Sequence, residues 1–317
     1  MRRLVPRALA SLLVVASFAA CAAGYPTRPI RLLTGAAPGT VIDVVARQFA
    51  DKLGPILGQP LIVESKPSAG GIIALEALAR SPPDGYTLAL VHMGQMSVAP
   101  SLFRRLPYDT VNDFTHVGIV FRGPQVLVAP TVGARSLGEL VDRARLREMR
   151  YASPGAGTPT HIFMEQFQRA AGIRVQHVPY RGAASLVAVL NGEVDMFLEG
   201  AAIVASQIRA GKLRALAVTG SRRLGILPEV PTFEEEGIAG METVWVGVVG
   251  PRGVSPAVVQ RINESFRRLT EMADIRASFE EAGRYFTAGS PEEMRETVVK
   301  EVPRWRTFVE ASGMSPY

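Results

Sequence analysis

The sequence predicts an α/β protein of two units, the second inserted into the first. Short β-rich runs alternate with helical runs from Pro29 onward, a pattern that argues for parallel strands flanked by helices. The alternation continues well past residue 124, so a second α/β unit is needed to hold it. Neither an internal repeat nor a low-complexity tract nor a long linker divides the 317 residues, which favours insertion over tandem arrangement. A composition 47% apolar and 20% charged is that of a folded, globular chain.

Taken in order, Ile30–Thr34 reads as the first strand and Val41–Leu57 as a helix, followed by Leu61–Glu64 as strand, Gly71–Arg80 as helix and Tyr86–Val91 as strand. Val126–Pro130, Arg150–Ser153 and Val175–Pro179 continue the strands, separated by helices near Leu137–Leu146 and Thr160–Ala171. Val194–Leu198 and Leu213–Thr219 flank a helix at Ile203–Ala210, which Gly211 can end in the left-handed conformation. Pro256–Met272 and Pro291–Ala311 each begin Ser-Pro, an N-cap followed by proline at the first helical position. The expected first domain is 24–123 with 248–317, and the inserted domain is 124–247. Two crossover strands, near Phe121–Gln125 and Val244–Gly250, then form a hinge.

Residues 1–23 read as a secretory signal peptide: Arg2, Arg3 and Arg7 precede an apolar run from Ala8 to Ala20 and then small residues. That run falls short of the roughly 20 apolar residues a membrane-spanning helix needs. Cleavage near Ala22 or Ala23 is favoured over lipoprotein processing before Cys21, because Phe18 fits a lipobox poorly. Cys21 is the only cysteine, so the exported chain is expected to rely on core burial without disulfides. The formal charge of +6 overstates the basicity of that chain, which keeps 32 basic and 29 acidic residues once the three leader arginines are set aside. Its densest basic cluster, Arg143, Arg145, Arg147 and Arg150, reads as a solvated helix face and exit, so nucleic acid is not an expected partner.

Two glycine-containing loops each follow an apolar strand and precede a helix: Thr34-Gly35-Ala36-Ala37-Pro38-Gly39-Thr40-Val41-Ile42-Asp43 and Tyr151-Ala152-Ser153-Pro154-Gly155-Ala156-Gly157-Thr158-Pro159-Thr160-His161. Unpaired N–H groups at a helix start attract an anion, and small side chains allow it close to the backbone. A carboxylate suits such a site. One loop alone is as well explained by turn geometry, but two loops, one per unit, suggest a ligand held between domains. Asp43 and Glu199 each follow a strand-end loop toward the proposed cleft, and either face the ligand or brace their loops.

Catalysis finds little support. The sequence has no G-x-S-x-G, no G-x-x-x-x-G-K-[ST] and no H-E-x-x-H, and Gly155-Ala156-Gly157 lacks the third glycine of a dinucleotide fingerprint. His92, His116, His161 and His177 fall in separate segments without metal-ligand spacing, so no metal and no cofactor is expected. His161 and Glu165 share a helix face four residues apart, a spacing better suited to a local hydrogen bond than to acid–base chemistry. Asp195, at a strand start, reads as a turn brace.

With both loops placed, the chain from Tyr25 almost to its C-terminus resembles the Bug family, the periplasmic receptors of tripartite tricarboxylate transporters. The segments carrying the resemblance include Tyr25-Pro26-Thr27-Arg28-Pro29-Ile30-Arg31, Glu64-Ser65-Lys66-Pro67-Ser68-Ala69-Gly70-Gly71, Pro83-Asp84-Gly85-Tyr86-Thr87-Leu88 and Leu106-Pro107-Tyr108-Asp109. His177-Val178-Pro179-Tyr180-Arg181-Gly182-Ala183 and Gly211-Lys212-Leu213-Arg214-Ala215-Leu216-Ala217-Val218-Thr219 complete the set in the family's order. The resemblance implies a two-lobed Venus-flytrap fold of the periplasmic-binding-protein class, a carboxylate ligand, membrane permease subunits as partners and a monomeric receptor.

Carried over by position, the ligand-binding candidates are Ala36, Ala37, Gly39, Thr40 and Asp43 in the first loop, with Ser153, Gly155, Gly157, Thr158 and His161 in the second; Tyr180 and Glu199 would line the far side. Departures from the family pattern concentrate in this set. Thr40, Val41 and Ile42 stand where consecutive glycines and a threonine are usual, which narrows the site and makes it more apolar. Ala156 replaces a polar residue, Pro159 removes an N–H, and Glu199 replaces the commoner aspartate. A receptor that docks on a membrane signalling protein, or a hydrolase on the same architecture, are the alternative functions.

Overall fold

The computed structural model describes residues 24–180 and 183–312, so the expected leader, residues 1–23, lies outside the described residues. The first sheet begins with β1 (Ile30–Thr34), α1 (Val41–Leu57), β2 (Leu61–Ser65), α2 (Ile72–Ala79) and β3 (Thr87–His92). After β3 the chain takes a π-helical turn at Gly94–Val98, continued by α3 (Ala99–Leu102), and returns as the ten-residue β4 (Phe114–Gly123). The second sheet is built from β5 (Gln125–Pro130), α4 (Leu137–Leu146), β6 (Arg150–Ser153), α5 (Pro159–Ala171), β7 (Gln176–Pro179), α6 (Ala184–Leu190), β8 (Met196–Gly200), α7 (Ala201–Arg209) and β9 (Leu213–Val218). The chain then comes back to the first sheet as β10 (Val244–Pro251), followed by α8 (Pro256–Glu271), α9 (Ala273–Glu281), β11 (Tyr285–Phe286) and α10 (Pro291–Ser312).

The strand orders are β11-β4-β10-β3-β1-β2 and β7-β6-β8-β5-β9. Both sheets are mixed, so the parallel strands that the alternation predicts share each sheet with antiparallel ones. β1 pairs in parallel with β2 and β3, whereas β10 is antiparallel to β3 and β4. In the other sheet β6 runs parallel to β7 and β8, whereas β5 is antiparallel to β8 and β9. The reason is topological. A strand arriving from the other lobe enters at the end where the parallel strands finish, so it must run against them. The carboxyl ends of both parallel sets therefore point at the same interlobe space, where open α/β sheets bind their ligands.

Helix positions follow the side-chain pattern. In α1, Val45, Phe49, Leu53 and Leu57 recur every four residues and are buried, and Gly58, at φ 81°, ends the helix in the left-handed conformation. Phe49 stacks on Phe279 at 5.8 Å and meets Phe121 and Phe266 edge-on, tying α1 to α8, α9 and the outgoing strand β4. One apolar cluster spans both lobes: Leu33 and Val91 of the first sheet share it with Leu198 of the second sheet and Phe163 of α5. Through it runs α10, whose Trp305 lies 6.5 Å from Phe163, so this helix belongs to the core of both lobes.

The resemblance segments nearest the N-terminus are structural. The Tyr25 hydroxyl donates to the Gly85 carbonyl at 2.6 Å, and Arg28 lies over the Tyr86 ring while holding Asp84 at 2.8 Å. Asp109 accepts the amides of Val111 and Asn112 and so shapes the turn into β4.

Candidate functional site

The β1–α1 loop is held by one buried carboxylate. Asp43, 3% exposed, accepts the Gly39 amide at 3.0 Å, the Ser65 hydroxyl at 3.0 Å and the Arg47 guanidinium at 3.0 and 3.1 Å. The Arg47 hydrogen bond, with smaller help from Gly39 and Ser65, keeps the Asp43 carboxyl below its ordinary range. Thr40, the N-cap of α1, turns its hydroxyl back to the Ala37 carbonyl at 2.7 Å, and the Ala36 amide goes to the Thr34 hydroxyl. The loop thus spends the amides of Ala36, Gly39 and Thr40 on itself. Those of Gly35, Ala37, Val41 and Ile42 find no acceptor among the described residues, and the helix start places the last two where an anion is favoured.

The β6–α5 loop is held by neutral groups. Thr158 caps α5, its hydroxyl donating to the Gly155 carbonyl at 2.7 Å and accepting from the His161 amide. The Gly157 amide donates to His161 Nδ1 at 3.2 Å, which places the ring proton on Nε2. His161 stacks on His177 at 4.3 Å, and His177 in turn on Tyr151 at 4.9 Å. Burial, and for His161 its neighbour as well, drives these imidazoles down to about 3 for His161 and about 4 for His177, so both are neutral. Here Gly155, Gly157 and Thr158 spend their amides within the loop, and those of Ala156 and Thr160 find no acceptor among the described residues.

Ser153 Oγ and His177 Nε2 lie 2.6 Å apart, a contact that resembles a nucleophile and its base. Ser153 is fully buried, however, and its hydroxyl already exchanges hydrogen bonds with the amide and carbonyl of Gly155. The pair shapes the loop. No group of three or more metal-ligating side chains occurs among the described residues.

Of the two far-side candidates, Glu199 ends β8 beside the crossover, since Gly200 pairs with Gln125. It accepts the Gly200 amide at 2.8 Å and the Thr160 hydroxyl at 3.4 Å. Burial raises its carboxyl above the ordinary range, against the pull of these bonds and of Arg284 from the first lobe. Tyr180 packs on the second sheet's core with its hydroxyl on Glu193 at 3.4 Å, turned toward the loop before β8. Glu165 takes the Tyr151 hydroxyl and Gln168, and Asp195 holds Arg147 and the Arg150 amide.

The π-helical turn supplies residues that periodicity does not reveal. Gln95, 3% exposed, accepts the His92 amide at 3.1 Å and lies over two glycines: a Cβ on Gly71 would stand 2.1 Å from its Nε2, and one on Gly35 2.7 Å. The first loop and the 68–71 turn are therefore clamped together by one amide side chain. His92 Nδ1 accepts the Gly94 amide at 3.1 Å, and burial lowers this imidazole to about 4. Across the cleft, a Cβ on Gly94 would lie 3.0 Å from the Gly157 carbonyl oxygen, so the lobes meet backbone to backbone. The only signal in the sequence was glycine itself, at positions where a close approach forbids a side chain.

Two lobes joined by a chain that crosses twice, each with a helix start at a strand carboxyl end, match what comparison with known proteins finds. The family model described as tripartite tricarboxylate transporter family receptor matches residues 45–314. The chain belongs to this receptor family. Protein BugT of Bordetella pertussis is 32% identical over 295 residues, 91% of this chain and 90% of the relative. Among solved structures, the periplasmic binding protein BugD superposes with a TM-score of 0.85 at 30% identity, over 92% of this chain and 99% of that one. The R. palustris protein Rpa4515, solved with adipate, gives 0.86 at 28% identity over 92% and 100% of the two chains. MatC of the same organism, solved with malate, gives 0.82 at 27% identity over 90% and 100%. The family and these neighbours are binding proteins, and the two lobes described above are theirs.

Proposed function

We propose that the chain is a monomeric periplasmic receptor, exported by a cleaved leader, that captures a small organic carboxylate between its lobes for a tripartite transporter and performs no chemistry on it. The observation that carries this reading is that each lobe leaves amides without acceptors among the described residues in a loop and at the helix start that follows it, Ala37, Val41 and Ile42 on one and Ala156 and Thr160 on the other, while Gly157 of the second loop comes up to Gly94 of the first lobe. Adipate and malate in two structural relatives support a carboxylate as guest.

Residues 24–123 with 248–317 form the first domain of this reading and 124–247 the inserted one, hinged at the crossovers. The ligand enters an open cleft and takes amide donors from the first loop. Closure then adds those of the second, and because a ligand shifts the equilibrium only by its preference for the closed form, the second loop sets selectivity. Val41 and Ile42 put apolar surface beside the donors, which favours a carboxylate with an alkyl or aryl body over a densely charged one.

A thermal-shift screen of mono-, di- and aromatic carboxylates with amino acids tests the proposal. Ligand at about 100 times Kd adds about 2.7 kcal/mol of stability, a shift of several degrees. A flat response across the panel, or turnover of any compound that binds, would count against it.

A further inference from the structure

Phe103 stands at the end of α3 with its ring between the lobes. Against it lies Gly70, where an added Cβ would come within 2.8 and 2.9 Å of ring carbons Cζ and Cε2. Beside the same two carbons lies Gly157 of the second lobe, where a Cβ would stand 3.7 Å from Phe103 Cε2, 3.8 Å from Cζ and 3.7 Å from Leu102 Cδ1. Both glycines have left-handed backbones, φ 61° and 74°, and both sit in segments that carry or support the site's loops. The same Gly157 presents its carbonyl to Gly94, at the start of the π-helical turn. Residues 94–103 therefore form a landing surface for one point of the second lobe, and the aromatic ring is its apolar part.

We propose that Phe103 is a positioning residue for ligand capture: its ring receives Gly157 only when the lobes are closed, and this contact slows ligand escape. The inference rests on the receptor reading for its consequence but not for its geometry. The ring edge at Cε2 and Cζ lies beside both bare glycines, and lobe opening removes its dispersion contacts with Gly157. Ligand association, which begins from the open form, does not sense the contact. Dissociation, which requires opening, does.

The test has two arms. In the first, spin labels are placed at the exposed positions Ile62→Cys and Val132→Cys, one on each sheet's lobe, with Cys21→Ser so that labelling is confined to them. Distances are measured without ligand and with adipate or malate. The population at the distance of this structure should fall at least about threefold in Phe103→Ala and return in Phe103→Tyr, which restores the ring. In the second arm, for whichever carboxylate binds the wild type, Phe103→Ala should raise the dissociation rate about tenfold and leave the association rate within about twofold. Unchanged label distances in Phe103→Ala, or a wild type that never visits the distance of this structure, would overturn the proposal. So would a loss of affinity borne by association alone. If no carboxylate binds while the label distances respond as expected, the receptor's ligand class is wrong and the landing contact stands.

Discussion

The two halves of the site are built on one plan and stabilised by opposite chemistry. Around residues 35–43 the loop is organised by charge, with Asp43 gathering Gly39, Ser65 and Arg47. Around residues 153–161 it is organised by neutral hydroxyls and stacked imidazoles, Ser153, Thr158, His161 and His177. In each, the organising side chains bond within their own loop, and amides at and before the helix start are left without acceptors among the described residues. The first half belongs to the lobe whose loop is clamped by Gln95, whereas the second is held by its own cap and ring stack, by Thr160 on Glu199 and by the approach of Gly157 to Gly94. In the proposed receptor reading, the half clamped by Gln95 receives the ligand first and the half that lands on it discriminates.

The largest expected difference between the halves comes from removing their organisers. Asp43→Ala leaves the Gly39 amide and the Ser65 hydroxyl without their acceptor and should cost about 1–3 kcal/mol in a denaturant melt, with ligand-induced stabilisation lost. Thr158→Val removes a helix cap together with the hydroxyl's bond to the Gly155 carbonyl and should cost about 1 kcal/mol, with binding weakened but measurable. Equal costs would erase the proposed asymmetry.

Acid should sharpen the contrast. The imidazoles of His161 and His177 are neutral in the fold, while in the unfolded chain they take up protons near pH 6.5. Their contribution is complete above 6.5 and is lost as pH falls from 6.5 toward 4 and below, where they protonate in the fold as well. The Asp43 contribution, from a lowered carboxyl, is also present at high pH but persists until pH drops below the ordinary carboxylate range. Melting temperatures between pH 6.5 and 4 should therefore fall, with His161 and His177 contributing from the second lobe and the likewise lowered His92 and His116 from the first. His161→Asn, whose amide oxygen can stand in for Nδ1 without titrating, should flatten that slope, and Asp43→Asn should not.

The smallest effect is expected at Glu199. Burial raises its carboxyl, so the fold gains from the protonated form, and that gain disappears as pH rises through the raised value. Glu199→Gln should melt close to wild type near pH 4.5 and increasingly above it toward neutral pH. A gap that closes as pH rises would mean that the Arg284 attraction outweighs desolvation.

Much of this architecture was legible without coordinates because it is written in local chemistry. Ser136, Thr158 and Ser255 cap helices with their own side chains, and Gly58 and Gly172 end helices at positive φ. The two loops fall where strand and helix signals meet. What stayed hidden depends on contacts between distant segments. Residues 93–102 form a buried, apolar stretch with neither strand alternation nor a clean helical stripe, and its π-helical turn brings Gln95 onto Gly35 and Gly71. Phe103 looks like any surface-loop aromatic until two glycines from different lobes are found beside it. The mixed sheets likewise follow from where the chain re-enters each lobe, which no window of sequence records.

Both of the chain's tryptophans stand at the lobe junction. Trp245, on the returning strand β10, donates its indole N–H to Glu301 of α10 at 2.9 Å, and Glu301 also takes the Ser97 hydroxyl from the π-helical turn at 2.6 Å. Trp305 lies one turn further along the same helix, against Phe163. The intrinsic emission of this protein therefore originates where the jaws articulate, so an unlabelled sample carries its own optical gauge of shutting, readable in a stopped-flow cell.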